Sequence, residues 1–267
     1  MPSQLVIHED FYSLALDSNR TVVVYLPPSY KTETRRQFPL LILHDGQNVF
    51  DGRTSYVPGQ YWQVREAADD LLLRRRIEPV IIAAVYHGGS KRLAEYTPTR
   101  TRKLGGGGAD VHGQMIVEEL RPFLRSRYRI IAQARRTGLG GSSLGGLATL
   151  YLGLKYPQVF GRLAVMSPSV WWDQRVILRM LQGLDQPQRQ RIWLDIGTQE
   201  GDAPFSSVRD LRLLRATLIG KGWRDGSTLS YLEVEGADHS ERAWAARVPA
   251  MLEFLFPRRT IGARKKK

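Results

Sequence analysis

The stretch TGLGGSSLGGLATLYLGLKYP, residues 137–157, decides the fold. Within it Gly141-Ser142-Ser143-Leu144-Gly145 matches G-x-S-x-G. That pattern has a steric cause. A serine raised above a sheet on a sharp strand-to-helix turn needs small neighbours, because the strained backbone brings flanking side chains into collision. Gly140 and Gly146 extend the small-residue run and let the following helix lie close to the sheet. That helix, 144–157, is nearly all apolar and is expected to be buried. Ser142 does not fit as the elbow serine, since Leu144 would then occupy the second glycine position. A dinucleotide loop is the rival reading. Gly138-x-Gly140 opens that fingerprint, but its third glycine falls on Ser143 and the pattern fails.

Working outward, strand-like and helix-like segments alternate. Strands are expected at 21–28, 39–46, 79–89, 137–141, 162–168, 191–198 and 227–236. PLLILHDG and PVIIAAVYHGG are short apolar runs closed by turn residues, the mark of strands buried on both faces. Amphipathic helices are expected at 61–76, 114–128, 207–222 and 241–256. The alternation predicts an α/β fold of the α/β-hydrolase type: a mostly parallel central sheet with helices on both faces. No linker or repeat interrupts it, so residues 1–257 are read as a single domain. Gly105–Gly108 reads as a surface connection or a mobile lid; no Gly-Lys-Ser/Thr follows to make it a phosphate loop.

Composition narrows the chemistry. The 267 residues contain no cysteine, which excludes a thiol nucleophile, disulfides and Cys-ligated zinc. The opening MPSQLVIHEDFYS lacks a signal-peptide pattern, and no apolar run is long enough for a membrane span, so a cytoplasmic location is expected. Six of the thirteen net positive charges lie in RRTIGARKKK, 258–267. This basic tail is expected to be a disordered, solvated end. It is the one feature that would attract nucleic acid, which is not an expected partner.

In this fold the triad runs Ser, Asp/Glu, His along the chain, each partner at the carboxyl end of a strand. Of five histidines only His239 follows Ser143, in GADHSERAW between the last strand and the last helix. It is the expected general base. His44 follows a buried strand at the same rim and is a candidate pocket residue. His87 and His112 lie upstream, and His8 is read as irrelevant. RIWLDIGTQEGD offers three acids. Asp195 sits inside the strand run, too early to reach the rim; Glu200 and Asp202 both remain. Ser143 Oγ would attack an acyl carbonyl as His239 takes its proton. The backbone N–H of Leu144 would meet the oxyanion, with a second donor from the loop HDGQN, 44–48.

LILHDGQNVFD, the EYTP of 95–98, GLGGSSLGGLATLYLGLKYPQVFGRLAVMSPSVWW, DIGTQEGD and VEGADHSERAW together resemble the putative-esterase family of α/β-hydrolases. That family takes in enterochelin esterases, feruloyl esterases, S-formylglutathione hydrolases and mycolyltransferases. The likeness runs from about Thr21 to Pro257. It implies a serine esterase with Ser143 as nucleophile, His239 as base and Glu200 as acid. It places the second oxyanion donor on the N–H of Gln47. It implies a small-molecule ester substrate and neither metal nor organic cofactor. Asp45, Trp171 and Trp172 join His44 as expected pocket residues, with core packing the equal alternative for the tryptophans. The added N-terminal β-domain of enterochelin-type esterases has no counterpart, which speaks against a siderophore substrate. Two other readings stand: an acyltransferase to a carbohydrate or lipid alcohol, and a non-catalytic binding protein on a hydrolase scaffold. No motif speaks to the acyl group, the alcohol or the oligomeric state.

Overall fold

Leu40, Leu41, Ile42 and Leu43 are all buried, two on each side of a sheet. This is why the segment reads as an unbroken apolar run: a strand covered on both faces has no polar side to show. The computed structural model describes residues 2–184, 189–201 and 204–258. Its main sheet has eight strands: β1 (Gln4–Ser13), β2 (Ser18–Leu26), β3 (Leu40–Leu43), β4 (Ile81–Val85), β5 (Thr137–Ser142), β6 (Arg162–Met166), β7 (Arg191–Gly197) and β8 (Leu229–Val234). Their order is β1-β2-β4-β3-β5-β6-β7-β8. From β4 to β8 every pairing is parallel, and β2 alone runs against the rest.

The longer helices are α1 (Val64–Leu73), α2 (109–127, with a π-type middle, Met115–Leu120), α3 (Leu144–Lys155), α4 (Trp172–Gln182), α5 (Pro204–Gly220) and α6 (Glu241–Leu255). One core lies where Leu40, Ile42, Leu163, Val165, Ile192 and Leu194 meet α2, α3, α4 and α5. The other lies where Leu41, Leu43, Ala164, Met166 and Trp193 meet α1 and α6. Alternate residues of one strand thus serve opposite cores. The fold is the α/β-hydrolase type expected. No described helix is long and apolar enough to cross a membrane.

Two of these longer elements were not expected. β1 is an edge strand, half exposed, and its alternation is broken by a bulge between His8 and Phe11. A bulge shifts every later side chain to the other face, so the period-2 signal is lost. The helical stretch α4, which begins at Trp172, is the other. The glycine loop is partly pinned: Gly105–Gly106 pairs with Arg100–Thr101, and the Gly107 N–H donates to Thr97 Oγ1 at 3.0 Å. Of the basic tail only Arg258 is described.

Candidate active site

Ser143 stands where β5 turns into α3, with φ 57° and ψ −122°. A non-glycine residue rarely adopts such a backbone, and here hydrogen bonds on both sides hold it. Its N–H donates to the Met166 carbonyl at 3.0 Å, and its carbonyl accepts from the Ser169 N–H at 3.0 Å. The tight glycines are explained by distance. A Cβ on Gly141 would sit 2.7 Å from the Gly145 carbonyl carbon, and one on Gly146 would sit 2.7 Å from the Met166 oxygen.

His239 lies just before α6, on the loop that leaves β8. Its Nδ1 is 2.8 Å from Glu200 Oε2. Glu200 is 3% exposed. Its other oxygen, Oε1, accepts from the Gly197 N–H at 2.6 Å and from the Ser167 hydroxyl at 2.7 Å. Burial would raise this carboxyl, but hydrogen bonds from His239, Ser167 and Gly197 outweigh it and hold it below its ordinary value. Trp244 meets the His239 ring edge-on, 4.9 Å between centroids, and donates its indole N–H to Ser167 Oγ at 3.0 Å. Asp202, the other acid left open, lies outside the described residues. Asp195 is buried inside β7 and faces Arg247 rather than the rim.

Ser143 and His239 line two cavities together. One, of about 690 Å³, has the charged and polar side chains of Asp45, Asn48, His87, Arg92 and Glu241 among its walls, together with Tyr56, Val57 and Trp244. Arg92 is bidentate to Asp45, with both contacts 2.7 Å. The other, of about 590 Å³, is lined in part by Leu93, Leu104, Leu144, Val170, Trp171 and Ile196. Leu104 comes from the glycine loop. Two backbone donors stand open beside the serine's loops. Leu144 is the first residue of α3, where N–H groups have no intrahelical acceptor. Gln47 sits in a 3₁₀ turn, Gly46–Asn48, after β3. The N–H groups of Asn48 and Val49 fold back on Asp45 and Gly46, whereas that of Gln47 meets no acceptor among the described residues.

Of the expected pocket residues, Asp45 and Trp171 do line the cavities, but His44 and Trp172 do not. His44 is fully buried behind the elbow between Tyr96 and His112, with its Nδ1 3.3 Å from His112 Nε2. Burial, then the nearby Arg92, pushes its imidazole down to about 3, so it stays neutral. Trp172 is fully buried too and gives its indole N–H to the Thr99 carbonyl at 3.2 Å. The residue before it, Trp171, is 54% exposed. The turn at the head of α4 separates the two faces.

A family model described as "Putative esterase" matches residues 13–255. The chain belongs to this esterase family. It is a carboxylic ester hydrolase by that membership, alongside relatives named as esterases. One relative is the Bacillus subtilis protein YbbA, itself uncharacterised: 27% identical over 89% of this chain and 93% of that one. Another is the iron(III) salmochelin esterase of Escherichia coli O6:H1, 30% identical over 76% of this chain but 47% of that one. The esterase therefore spans about half the length of that siderophore enzyme. Among solved structures, the BES protein of Bacillus cereus superposes with a TM-score of 0.73 at 20% identity, covering 95% of this chain and 94% of that one. The Shigella flexneri enterobactin esterase, solved with enterobactin, gives 0.75 at 23% identity, covering 96% and 58%.

Sequence reasoning missed four residues of the candidate site: Arg92, Ser167, Trp244 and Arg247. Only Arg247 left a trace. The buried positions of α6 include 241, 244, 248, 251, 252 and 255, an i, i+3, i+4 stripe, and Arg247 is a charge among them.

Proposed function

We propose that the chain hydrolyses carboxylic esters through an acyl-enzyme on Ser143, with His239 as general base and Glu200 as orienting acid. The observation that carries this is the 2.8 Å contact of His239 Nδ1 with a buried Glu200, on an imidazole that shares both cavities with Ser143. With Nδ1–H given to Glu200, Nε2 is the nitrogen left to accept a proton. Ser143 Oγ attacks the ester carbonyl as Nε2 takes the hydroxyl proton. The N–H groups of Leu144 and Gln47 receive the charge on the carbonyl oxygen; one such donor is typically worth about 3–4 kcal/mol. The imidazolium then protonates the departing alcohol. Water, deprotonated by the same Nε2, attacks the acyl carbon and frees Ser143.

The paired cavities suggest how an ester lies. One side of the scissile bond occupies the polar walls around Asp45 and Arg92. The other occupies the second cavity, where Leu104, Val170 and Trp171 stand beside Ser169, Ser206 and Ser207. We therefore read the substrate as a small-molecule ester with an arm in each cavity, the one beside Arg92 able to carry an anionic or hydroxyl group. Relatives named for salmochelin and enterobactin bring siderophore esters into the assay beside simple esters, although this chain spans about half of the salmochelin enzyme.

A fluorophosphonate probe should label the wild type and spare Ser143→Ala. Labelling that persists in the variant refutes the assignment. A panel of p-nitrophenyl and sugar esters, run with and without added alcohols, then separates hydrolysis from acyl transfer.

A further inference from the structure

Arg247 lies behind the Glu200–His239 pair, 2% exposed, one helical turn after Trp244 on α6. Its Nη1 donates to Asp195 Oδ1 at 2.8 Å. Nη1 and Nη2 lie 3.5 and 3.4 Å from Glu200 Oε1. Nη2 also reaches Ser167 Oγ at 3.3 Å, and Nε donates to the Ala243 carbonyl at 3.1 Å. One guanidinium thus sits between two carboxylates, and Asp195 and Glu200 are as buried as it is.

Two buried carboxylates that share one guanidinium repel each other when both are ionised, and the cation between them offsets that repulsion. Burial already pushes Asp195 up to about 6, against the pull of Arg247. The same guanidinium sets the direction of Ser167. The Ser167 oxygen accepts from Trp244 and Arg247, so its proton points to Glu200 Oε1. Oε1 is then filled by Gly197, Ser167 and Arg247, and Oε2 is left for His239.

We propose that Arg247 is a positioning residue that, with Ser167, fills Glu200 Oε1 and keeps its Oε2 turned to His239. This rests on the catalytic reading above. Among the described residues, the charged groups around Glu200 are Asp195 from β7, Arg247 from α6 and His239 from the loop after β8. Asp210 of α5 lines the same cavity but is paired with Arg175 at 2.8 Å. Ser167, at the end of β6, is uncharged.

The test is the pH profile of kcat/KM on p-nitrophenyl acetate for wild type, Arg247→Met, Arg247→Lys, Asp195→Asn and the Asp195→Asn/Arg247→Met double variant. Removing a positive charge raises the proton affinity of the His239–Glu200 pair. The acid limb of Arg247→Met should move up by about one pH unit, and kcat should fall about 10²-fold through lost orientation, with KM little changed. Arg247→Lys should restore the limb. The double variant, which removes the competing carboxylate with the cation, should return the limb to near the wild-type position and recover much of kcat. An Arg247→Met profile that matches wild type overturns the proposal. So does a double variant as displaced as the single one, provided both are folded by circular dichroism. If Arg247→Met does not fold, Asp195→Asn alone carries the test in the opposite sense: the limb must move down, and an unmoved limb sinks the idea. Failure of the catalytic reading looks different. It shows as Glu200→Gln with unchanged kcat, whereas an impaired Glu200→Gln beside an unshifted Arg247→Met counts against Arg247 alone.

Discussion

His239 Nδ1 and Glu200 Oε2 meet at 2.8 Å although 39 positions separate them in the chain. Parallel pairing of β7 with β8 brings them together. The register ends with Gly197 beside Val234, so both loops leave the same edge of the sheet. Cross-loop bonds then tie them, from the Thr198 N–H to the Val234 carbonyl and from the Gln199 N–H to the Ala237 carbonyl, each 3.0 Å. Replacing Glu200 with Gln keeps the shape and removes the charge. We expect kcat to fall about 10²–10⁴-fold, as when a triad acid is neutralised elsewhere, with KM and circular dichroism little altered. Steady-state kinetics on a p-nitrophenyl ester reads this directly. A loss under threefold would leave Glu200 without an orienting role.

The two buried acids should mark the pH dependence of stability with opposite signs. Glu200 lies below its ordinary 4.5: burial raises it, but its hydrogen bonds win. Just below that pH the unfolded chain binds the proton and the native chain does not, so stability rises with pH. The Glu200 contribution is present above 4.5 and is lost as pH falls through the lowered native value. Asp195 is the reverse, raised from 3.8 to about 6, chiefly by burial. Between those values the native chain holds the proton, so its contribution is full below 3.8 and is lost as pH rises through about 6. Urea midpoints measured across this range should show Glu200→Gln flattening the acid-side loss and Asp195→Asn removing the fall toward neutrality. Parallel curves for all three proteins would contradict both assignments.

Trp171 and Trp172 are neighbours with different surroundings, and alanine should separate them. Trp172→Ala empties a fully buried site and should cost about 3–5 kcal/mol of stability. Trp171→Ala removes an exposed wall of the cavity that also holds Leu104 and Val170 and should change stability by under about 0.5 kcal/mol. Its effect should appear as a higher KM for esters with a bulky apolar arm. Thermal melts and a chain-length series check both. A Trp171→Ala enzyme indifferent to the apolar arm would remove that residue from the substrate pocket.

Gly146→Ala tests the elbow packing. The added methyl would meet the Met166 carbonyl oxygen at 2.7 Å and Pro168 Cα at 3.1 Å, both backbone atoms that cannot swing aside. Overpacking of this kind costs about 1–3 kcal/mol. Because Met166 also accepts the Ser143 N–H, the strain reaches the nucleophile. We expect a lower melting temperature together with slower probe labelling. Wild-type values for both would show that α3 has room to move away from β6.

The residues alone determined a good deal here. The small-residue elbow, the doubly buried strands and the Ser-then-acid-then-His order are local or ordinal signals, and they placed seven of the strands and named Ser143 and His239. Steric demand at one bend and a two- or 3.6-residue period act over short range, so they survive in one dimension. Glu200 against Asp202 stayed open in the residues, because reach to an imidazole depends on how β7 and β8 are paired. The same holds for Arg247. Its charge in an apolar stripe is visible, but Asp195 and Glu200 become its partners only when α6 packs across the ends of β6 and β7. Tertiary structure also decided that His44 and Trp172 are enclosed while Asp45 and Trp171, each one residue away, line the cavities. The reason is the same throughout: burial and ionic partnership belong to the space between elements, and only the packed chain defines that space.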